Sequence, residues 1–196
     1  MIGNNAAGSH SVLYGTTRDH VIELEVILSD GSLVRFAPLT DQELEEKQKL
    51  KSKEGEIYRG LYQMVDKYRA QILSSFPKAE IIRRNTGYPL DYLANCKPWN
   101  TEGSTFNLAP FLCGTEGTLA FTTEAKLRLI PIVQERRLVC IHFSDLLDAM
   151  RAVSLLLEFN PAAIELIDKR TLDLAKENIE QKRNRFWIQG DPLAVL

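Results

Sequence analysis

The stretch Val21–Phe36, VIELEVILSDGSLVRF, constrains the fold more than any other part of the chain. Val21–Leu28 alternates loosely between apolar and polar residues and is rich in β-branched side chains. Asp30-Gly31 is a two-residue turn signal, Ser32–Phe36 reads as the return strand, and Pro38 ends it. A β-hairpin is therefore predicted early in the chain.

The next segments read as helical. Asp41–Lys53 carries acidic residues early and lysines late, as the helix dipole favours. It is either a partner-binding arm or a solvated connecting helix. Ile57, Leu61, Met64, Val65, Tyr68 and Ile72 recur at helical spacing and predict an amphipathic helix over Ile57–Leu73. Thr86–Leu90 is a turn leading into a short helical piece around Asp91–Ala94. Asn95–Pro110, with two prolines and many turn formers, reads as an irregular surface insertion. Leu119–Ile130 alternates well enough for a long strand.

Pro131–Glu135 reads as a boundary. Beyond it, Arg137–Phe143 predicts a strand and Ser144 a cap for a helix reaching Phe159, where Asn160-Pro161 stops it. Ala162–Ile167 predicts a second strand, Arg170–Asn178 a second helix and Arg185–Gln189 a further strand. The expected class is α+β in two parts, 1–133 and 134–196, with the chain opening in mid-loop and ending in mid-domain.

Composition excludes several function classes. A net charge of −2 and a pI near 6.0 give no basic field for nucleic acid or anionic lipid. No run approaches the ~18 apolar residues of a membrane span, and the start is not a secretory signal. Cys96, Cys113 and Cys140 are odd in number, widely spaced and without a CxxC pair. They read as reduced packing thiols in a cytoplasmic setting, with no metal site built from them.

The opening loop, MIGNNAAGSH, invites an anion. Ser9-His10 stand where a GxxxxGK[ST] loop needs Lys and Ser/Thr, and no GxGxxG follows a strand, so both common phosphate signatures are absent. A loop between strands can still offer backbone N–H groups to a diphosphate where side chains are small. Ala6, Ala7 and Gly8 meet the size condition, and Asn4, Asn5 and Ser9 supply donors; a plain glycine–alanine turn is the other reading. Gly114-Thr115-Glu116-Gly117-Thr118 opens a strand in the same way, so two loops could face one extended cofactor.

Other polar residues have competing readings. His10 lies in the loop and could meet the diphosphate, whereas His20 and His142 lie at or in predicted strands, where structural histidines are common. Glu165 and Asp168 are an acid pair or a helix cap, and Arg83-Arg84 a phosphate contact or a surface pair. No Ser/His/Asp or Cys/His set can be assembled, and no catalytic residue is assigned.

Three blocks in order, IGNNAAGSHSVLYGTTRDHVIELEVILSDG, NTGYPLDYL and CGTEGTLAFTTEAKLRL, resemble the FAD-linked oxidase/dehydrogenase superfamily over Ile2–Leu129. This is the group with the vanillyl-alcohol-oxidase (PCMH-type) FAD-binding domain, including D-lactate and D-2-hydroxyglutarate dehydrogenases and glycolate oxidase subunits. The shared pattern is a GG-x-x-x-N-A-G loop, a YG, a V-x-x-x-x-V-x-x-x-DG hairpin and a GSEGTLG-x-x-T block. The tail IHFSDLLDAMRAVSLLLEFNPAAIELIDK resembles the start of the cap, or substrate, domain of the same proteins.

The resemblance implies a PCMH-type subdomain with a mixed or antiparallel sheet flanked by helices, then the beginning of a ferredoxin-like α+β cap. It implies that Gly3, Asn4, Asn5, Ala6, Ala7, Gly8 and Ser9 pass along the FAD diphosphate and ribose. Tyr14 and Gly15 would shape the turn back to the sheet, Val21 would lie against the cofactor, and Glu116, Gly117 and Phe121 would line its adenosine or flavin end. Relatives usually carry an aliphatic residue at Phe121 and glycine at Ala120. Thr86, Gly87 and Tyr88 fit a family turn near the cofactor, or simply begin a helix.

The first FAD loop and the substrate-reading cap residues of the family have no counterpart here, so the resemblance implies an inactive internal fragment that holds FAD weakly. For the parent it implies hydride transfer from the α-carbon of a small D-2-hydroxy acid (lactate, glycolate or 2-hydroxyglutarate) to flavin N5. Its partners would be that acid and an electron acceptor, with no nucleic acid; peripheral membrane association and iron–sulfur modules further along would be compatible. The rival reading is a non-catalytic nucleotide- or partner-binding module on the same fold.

Overall fold

The structure, a computed structural model, describes residues 1–78, 80–81 and 87–196. Arg83, Arg84 and Thr86 lie outside the described residues. Chain contacts divide the molecule into two units: Met1–Ala7 with Gly15–Ile130, and Gly8–Tyr14 with Pro131–Leu196.

In the first unit the hairpin forms as β1 (Val21–Ile27) and β2 (Leu33–Phe36). With β3 (Phe121–Leu127) they make a purely antiparallel sheet in the order β2-β1-β3, without the mixed pairing that was the alternative. Leu24 and Val26 face inward opposite Phe36 and Val34. Val21 is also buried, although it is three residues from Leu24 and alternation would turn it outward. A register shift between Val21 and Glu23 accounts for this, because one irregular residue inverts the phase of the side chains before it. The expected strand Leu119–Ile130 shortens to β3, an edge strand with mostly exposed side chains.

Two short helices, α1 (Ser11–Tyr14) and α2 (Thr17–His20), precede the sheet, α1 belonging to the second unit. The charged run forms α3 (Asp41–Lys49), where the Thr40 hydroxyl accepts the Glu43 N–H and the Glu43 carboxylate returns to the Thr40 N–H. It is a connecting helix that ends before Lys53. Ser52 then caps α4 (Lys53–Ser75), longer at both ends than its apolar spacing suggested. Tyr58, Val65 and Ile72 form the buried stripe of α4, and Tyr58 stands edge-on to Phe36 with ring centroids 6.0 Å apart.

α5 (Leu90–Ala94) is the short helix expected after the turn. The stretch Asn95–Pro110 is not a surface insertion. Cys96, Phe106, Leu108 and Ala109 are buried, and residues 108–112 wind into α6 (Leu108–Leu112). Asn107 makes this possible: its side-chain oxygen accepts the Ala109 N–H at 2.9 Å, and its side-chain NH2 donates to the Ile22 carbonyl at 2.9 Å. One residue thus starts the helix and fastens it to the irregular part of β1.

The second unit holds a three-stranded antiparallel sheet, β4 (His142–Phe143), β6 (Ala194–Val195) and β5 (Ile167–Asp168), in that order. Strands expected over Arg137–Phe143 and Ala162–Ile167 are only two residues long, and Arg185–Gln189 is not a strand. The Ile188 N–H turns back to the Arg185 carbonyl, and the Gln189 N–H donates to His142 Nε2 at 3.1 Å, so that histidine has a structural partner. Asp145, not Ser144, caps α7 (Leu146–Leu157), its carboxylate accepting the N–H groups of Leu147 and Asp148. Asp168 caps α8 (Lys169–Glu177), and Asn178 caps α9 (Ile179–Arg183), which the sequence reading omitted.

Candidate functional site

The opening loop is held by its own backbone. The Ile2 carbonyl accepts the Asn5 N–H at 3.0 Å, and the Met1 carbonyl accepts the Ala6 N–H at 3.0 Å. Asn5 is buried and takes a left-handed φ of +46°, a conformation asparagine tolerates better than most side chains. The Ala6 carbonyl accepts both the backbone N–H and the hydroxyl of Thr17, at 3.1 and 2.8 Å.

The second small-residue cluster follows α6 directly. Gly114, Glu116 and Gly117 have φ of +93°, +54° and +73°. These left-handed residues fold the segment into a tight turn whose N–H groups are largely spent within the chain: Gly114 donates to Ile2, Thr115 to Leu112, Glu116 to Gly3 and Thr118 to Thr115. Thr115 is buried and donates its hydroxyl to the Leu112 carbonyl at 2.9 Å, while Thr118 donates its own to the Thr115 carbonyl at 2.6 Å. The hydroxyls of Tyr88 and Thr118 pair at 2.8 Å.

These two loops meet. The Gly114 N–H donates to the Ile2 carbonyl at 3.2 Å, and the Glu116 N–H to the Gly3 carbonyl at 2.8 Å. Arg18, which sequence reasoning missed, touches both sides of the seam. Its backbone N–H donates to Asn5 Oδ1 at 2.8 Å; its guanidinium donates through Nε to the Pro110 carbonyl at 3.1 Å and through Nη2 to the Cys113 carbonyl at 2.5 Å. These partners are two backbone carbonyls and a loop amide, which leave no mark on a residue pattern.

The residues singled out from sequence are distributed as follows. Gly3, Asn4, Asn5, Ala6 and Ala7 lie in the first unit together with Glu116 and Gly117, whereas Gly8, Ser9 and Tyr14 belong to the second unit. Gly15 stands before α2, next to the Asp19 carboxylate that accepts the Thr16 N–H at 2.7 Å. Val21 is buried in the core, while Phe121 is 70% exposed. Val21 pairs with Leu127 and Phe121 with Ile27, so they stand at opposite ends of the β1–β3 ladder, ~20 Å apart at the strand rise. His10 is exposed and its ring lies 6.5 Å from that of Tyr14.

The chemistry of the donor set suits an anion on the opening loop. Among the described residues, the N–H groups of Gly3, Asn4 and Ala7 have no acceptor within the chain, and the side chains of Gly3, Ala6 and Ala7 are too small to obstruct approach. Glu116, whose backbone lies beside Gly3, is exposed, and its carboxylate repels a phosphate but accepts from hydroxyl or amino groups. The opening loop therefore carries unspent backbone donors, and the second loop one exposed carboxylate. A polar cavity lined by Asn5, Thr16, Arg18, Asp19, Tyr92 and Ser104, among others, has a volume of only 240 Å³. That is below the ~300 Å³ at which ligand pockets begin, so a dinucleotide does not fit inside it.

Neither buried thiol offers nucleophilic chemistry. Burial pushes the Cys113 thiol up to about 11 and raises Cys96 as well. Among the described residues no cluster of His, Cys, Asp or Glu could hold a metal ion, and no helix is long and apolar enough to cross a membrane.

Comparison with known proteins bears on the same segment. Residues 1–37 match the FAD binding domain family. Over 192 residues, 98% of its length, the chain is 34% identical to D-2-hydroxyglutarate dehydrogenase of Pseudomonas putida, of which it covers 18%. It is 35% identical over 179 residues, 91% of its length, to D-2-hydroxyglutarate dehydrogenase of Escherichia coli, covering 17% of that protein. Along its whole length it is 25% identical to D-lactate dehydrogenase of Archaeoglobus fulgidus, covering 30%. The chain thus spans about a fifth of the length of the D-2-hydroxyglutarate dehydrogenases it matches.

Proposed function

Because the chain belongs to the FAD-linked oxidase/dehydrogenase superfamily, we propose that it is an internal segment of a longer FAD-dependent dehydrogenase of a small D-2-hydroxy acid. Residues 1–133 are the second part of its FAD-binding domain and 134–196 the start of its cap domain. The observation that carries this reading is the seam itself: two small-residue loops remote in sequence, tied by backbone hydrogen bonds, with unused donors on one of them.

In this reading the N–H groups of Gly3, Asn4 and Ala7 hold the diphosphate. Asn5 and Thr17 keep the loop in shape from beneath, and Glu116 accepts from the hydroxyl-bearing part of the cofactor. FAD, when bound, supplies the hydride acceptor; the protein supplies grip and orientation. Gly8, Ser9 and Tyr14, in the second unit, are carried as cofactor residues by the family likeness alone; Val21 supports the first unit's loops through the sheet, and Phe121 covers an exposed edge of that sheet.

The substrate favoured is 2-hydroxyglutarate rather than lactate. The dehydrogenases named for it are 31–35% identical over 91–98% of the chain, against 25% for the one named for lactate. An electron acceptor takes the reducing equivalents from the flavin in the parent protein. Three free cysteines fit a reducing, cytoplasmic setting. The 196-residue chain alone, carrying one wall of the cofactor site, holds FAD weakly and turns over nothing.

The test is the visible spectrum of the full-length protein. It is expected to purify yellow, with flavin absorption bleached anaerobically by D-2-hydroxyglutarate and less readily by D-lactate. A colourless protein that takes up no added FAD overturns the cofactor reading and leaves the binding-module alternative. Flavin that is held but bleached by neither acid rejects the substrate class alone.

A further inference from the structure

We infer that Arg18 is a positioning residue that sets the distance between the two cofactor loops, a role that rests on the reading of those loops as one wall of the FAD site. Among the described residues, backbone hydrogen bonds from Gly114 and Glu116 join the two loops. Arg18 adds three more across the same seam, and it is the geometry of the fork that matters. Its backbone N–H fixes Asn5, the buried residue on which the opening loop turns. Its Nε and Nη2 fix the carbonyls of Pro110 and Cys113 at the end of α6, where a helix runs out of its own donors. The planar fork serves the two carbonyls from two separate nitrogens, Nε and Nη2, held in fixed geometry, whereas a lysine would have to reach both from a single nitrogen on a flexible stem.

The residue that follows Cys113 shows how closely the guanidinium is fitted. A Cβ placed on Gly114 would stand 3.3 Å from Arg18 Nη2 and 3.5 Å from Asn5 Cβ. The second loop therefore leaves α6 with its backbone pressed against Arg18, and its exit direction is set there. Arg18 does not supply the donors of the wall; those are the N–H groups of the opening loop. It decides whether they and the second loop are in register, and displacements of about 1 Å in such groups cost one to two orders of magnitude.

Full-length Arg18→Met and Arg18→Lys proteins test this against the wild type. Three quantities are measured: the FAD dissociation constant by reconstitution of apoprotein, the Tm of the apoprotein, and the rise in Tm that saturating FAD produces. Arg18→Met is expected to weaken FAD binding about 10- to 100-fold and to reduce the FAD-induced rise in Tm, with activity lost at low FAD returning as FAD is raised. Arg18→Lys keeps the charge and is expected to recover less than half of the lost affinity on a logarithmic scale. A lower apoprotein Tm with wild-type FAD affinity in both variants would show a merely structural role and overturn the inference. Should Arg18→Met not fold, Arg18→Lys decides alone, wild-type affinity overturning the inference. A wild-type protein that binds no FAD is a separate result, which overturns the underlying reading instead.

Discussion

The backbone N–H of Glu116 donates to the carbonyl of Gly3 at 2.8 Å, joining the start of the chain to the turn that leads into β3. No side chain takes part in that bond. It exists because Gly114, Glu116 and Gly117 adopt left-handed backbone conformations that bring the second loop alongside the first. The candidate site is thus a property of the backbone, and the side chains around it act mainly by shaping or clipping that backbone.

The two glycines of the second loop should therefore differ in their tolerance of a side chain. Gly117 has φ of +73° with open space around its missing Cβ, so Gly117→Ala pays only backbone strain, about 1 kcal/mol. Gly114 has φ of +93° and its Cβ would press on Arg18 and Asn5, so Gly114→Ala is expected to cost about 2–3 kcal/mol. Urea denaturation of both variants checks the order; equal losses would show that the contact with Arg18 is not tight.

Tyr58 offers a prediction about the core. It is fully buried between Phe36 and Phe106, and its hydroxyl has no hydrogen-bond partner among the described residues. A buried hydroxyl without a partner costs about 1–3 kcal/mol, so Tyr58→Phe should be neutral or stabilising. Tyr58→Ala should cost about 3–5 kcal/mol through the cavity it leaves. A clear loss of stability in Tyr58→Phe, seen in thermal unfolding, would mean that the hydroxyl has a partner after all.

The buried thiols give the protein an alkaline limit. Unfolded, the Cys113 thiol ionises near 9; folded, burial holds it neutral up to about 11. The folded state thus keeps a proton that the unfolded state releases, and stability falls as pH rises from 9 through 11, by about 1.4 kcal/mol per unit. Cys96, Tyr58 and Tyr92 are raised by burial as well and act in the same direction. Cys113→Ala should flatten the slope between pH 9 and 11. At pH 8 a thiol reagent should modify Cys140 first, because Cys96 and Cys113 are buried; rapid labelling of Cys113 in the folded protein would contradict this.

Much of the hairpin, α4 and α5 was legible because each rests on local signals: a turn dipeptide, an apolar spacing, a cap. The errors follow from longer-range causes. Asn95–Pro110 looks like surface in composition, yet Phe106 and Leu108 are buried under β1 once Asn107 reaches the Ile22 carbonyl. The strand expected over Arg137–Phe143 shrinks to its last residues, where His142 and Phe143 pair with β6 and Ile141 exchanges two backbone hydrogen bonds with Leu196. The two glycine clusters were visible as loops, and a shared ligand could be suspected. That they touch, and that Arg18 clips them, could not be read, because every acceptor involved except Asn5 is a main-chain carbonyl.

Hydrogen exchange of the full-length protein, with and without FAD, tests the central claim most directly. The account predicts that FAD slows exchange of the amides in residues 2–7 and 114–118 together, while the outer strand β2 is unaffected. FAD that binds without protecting either loop would contradict it.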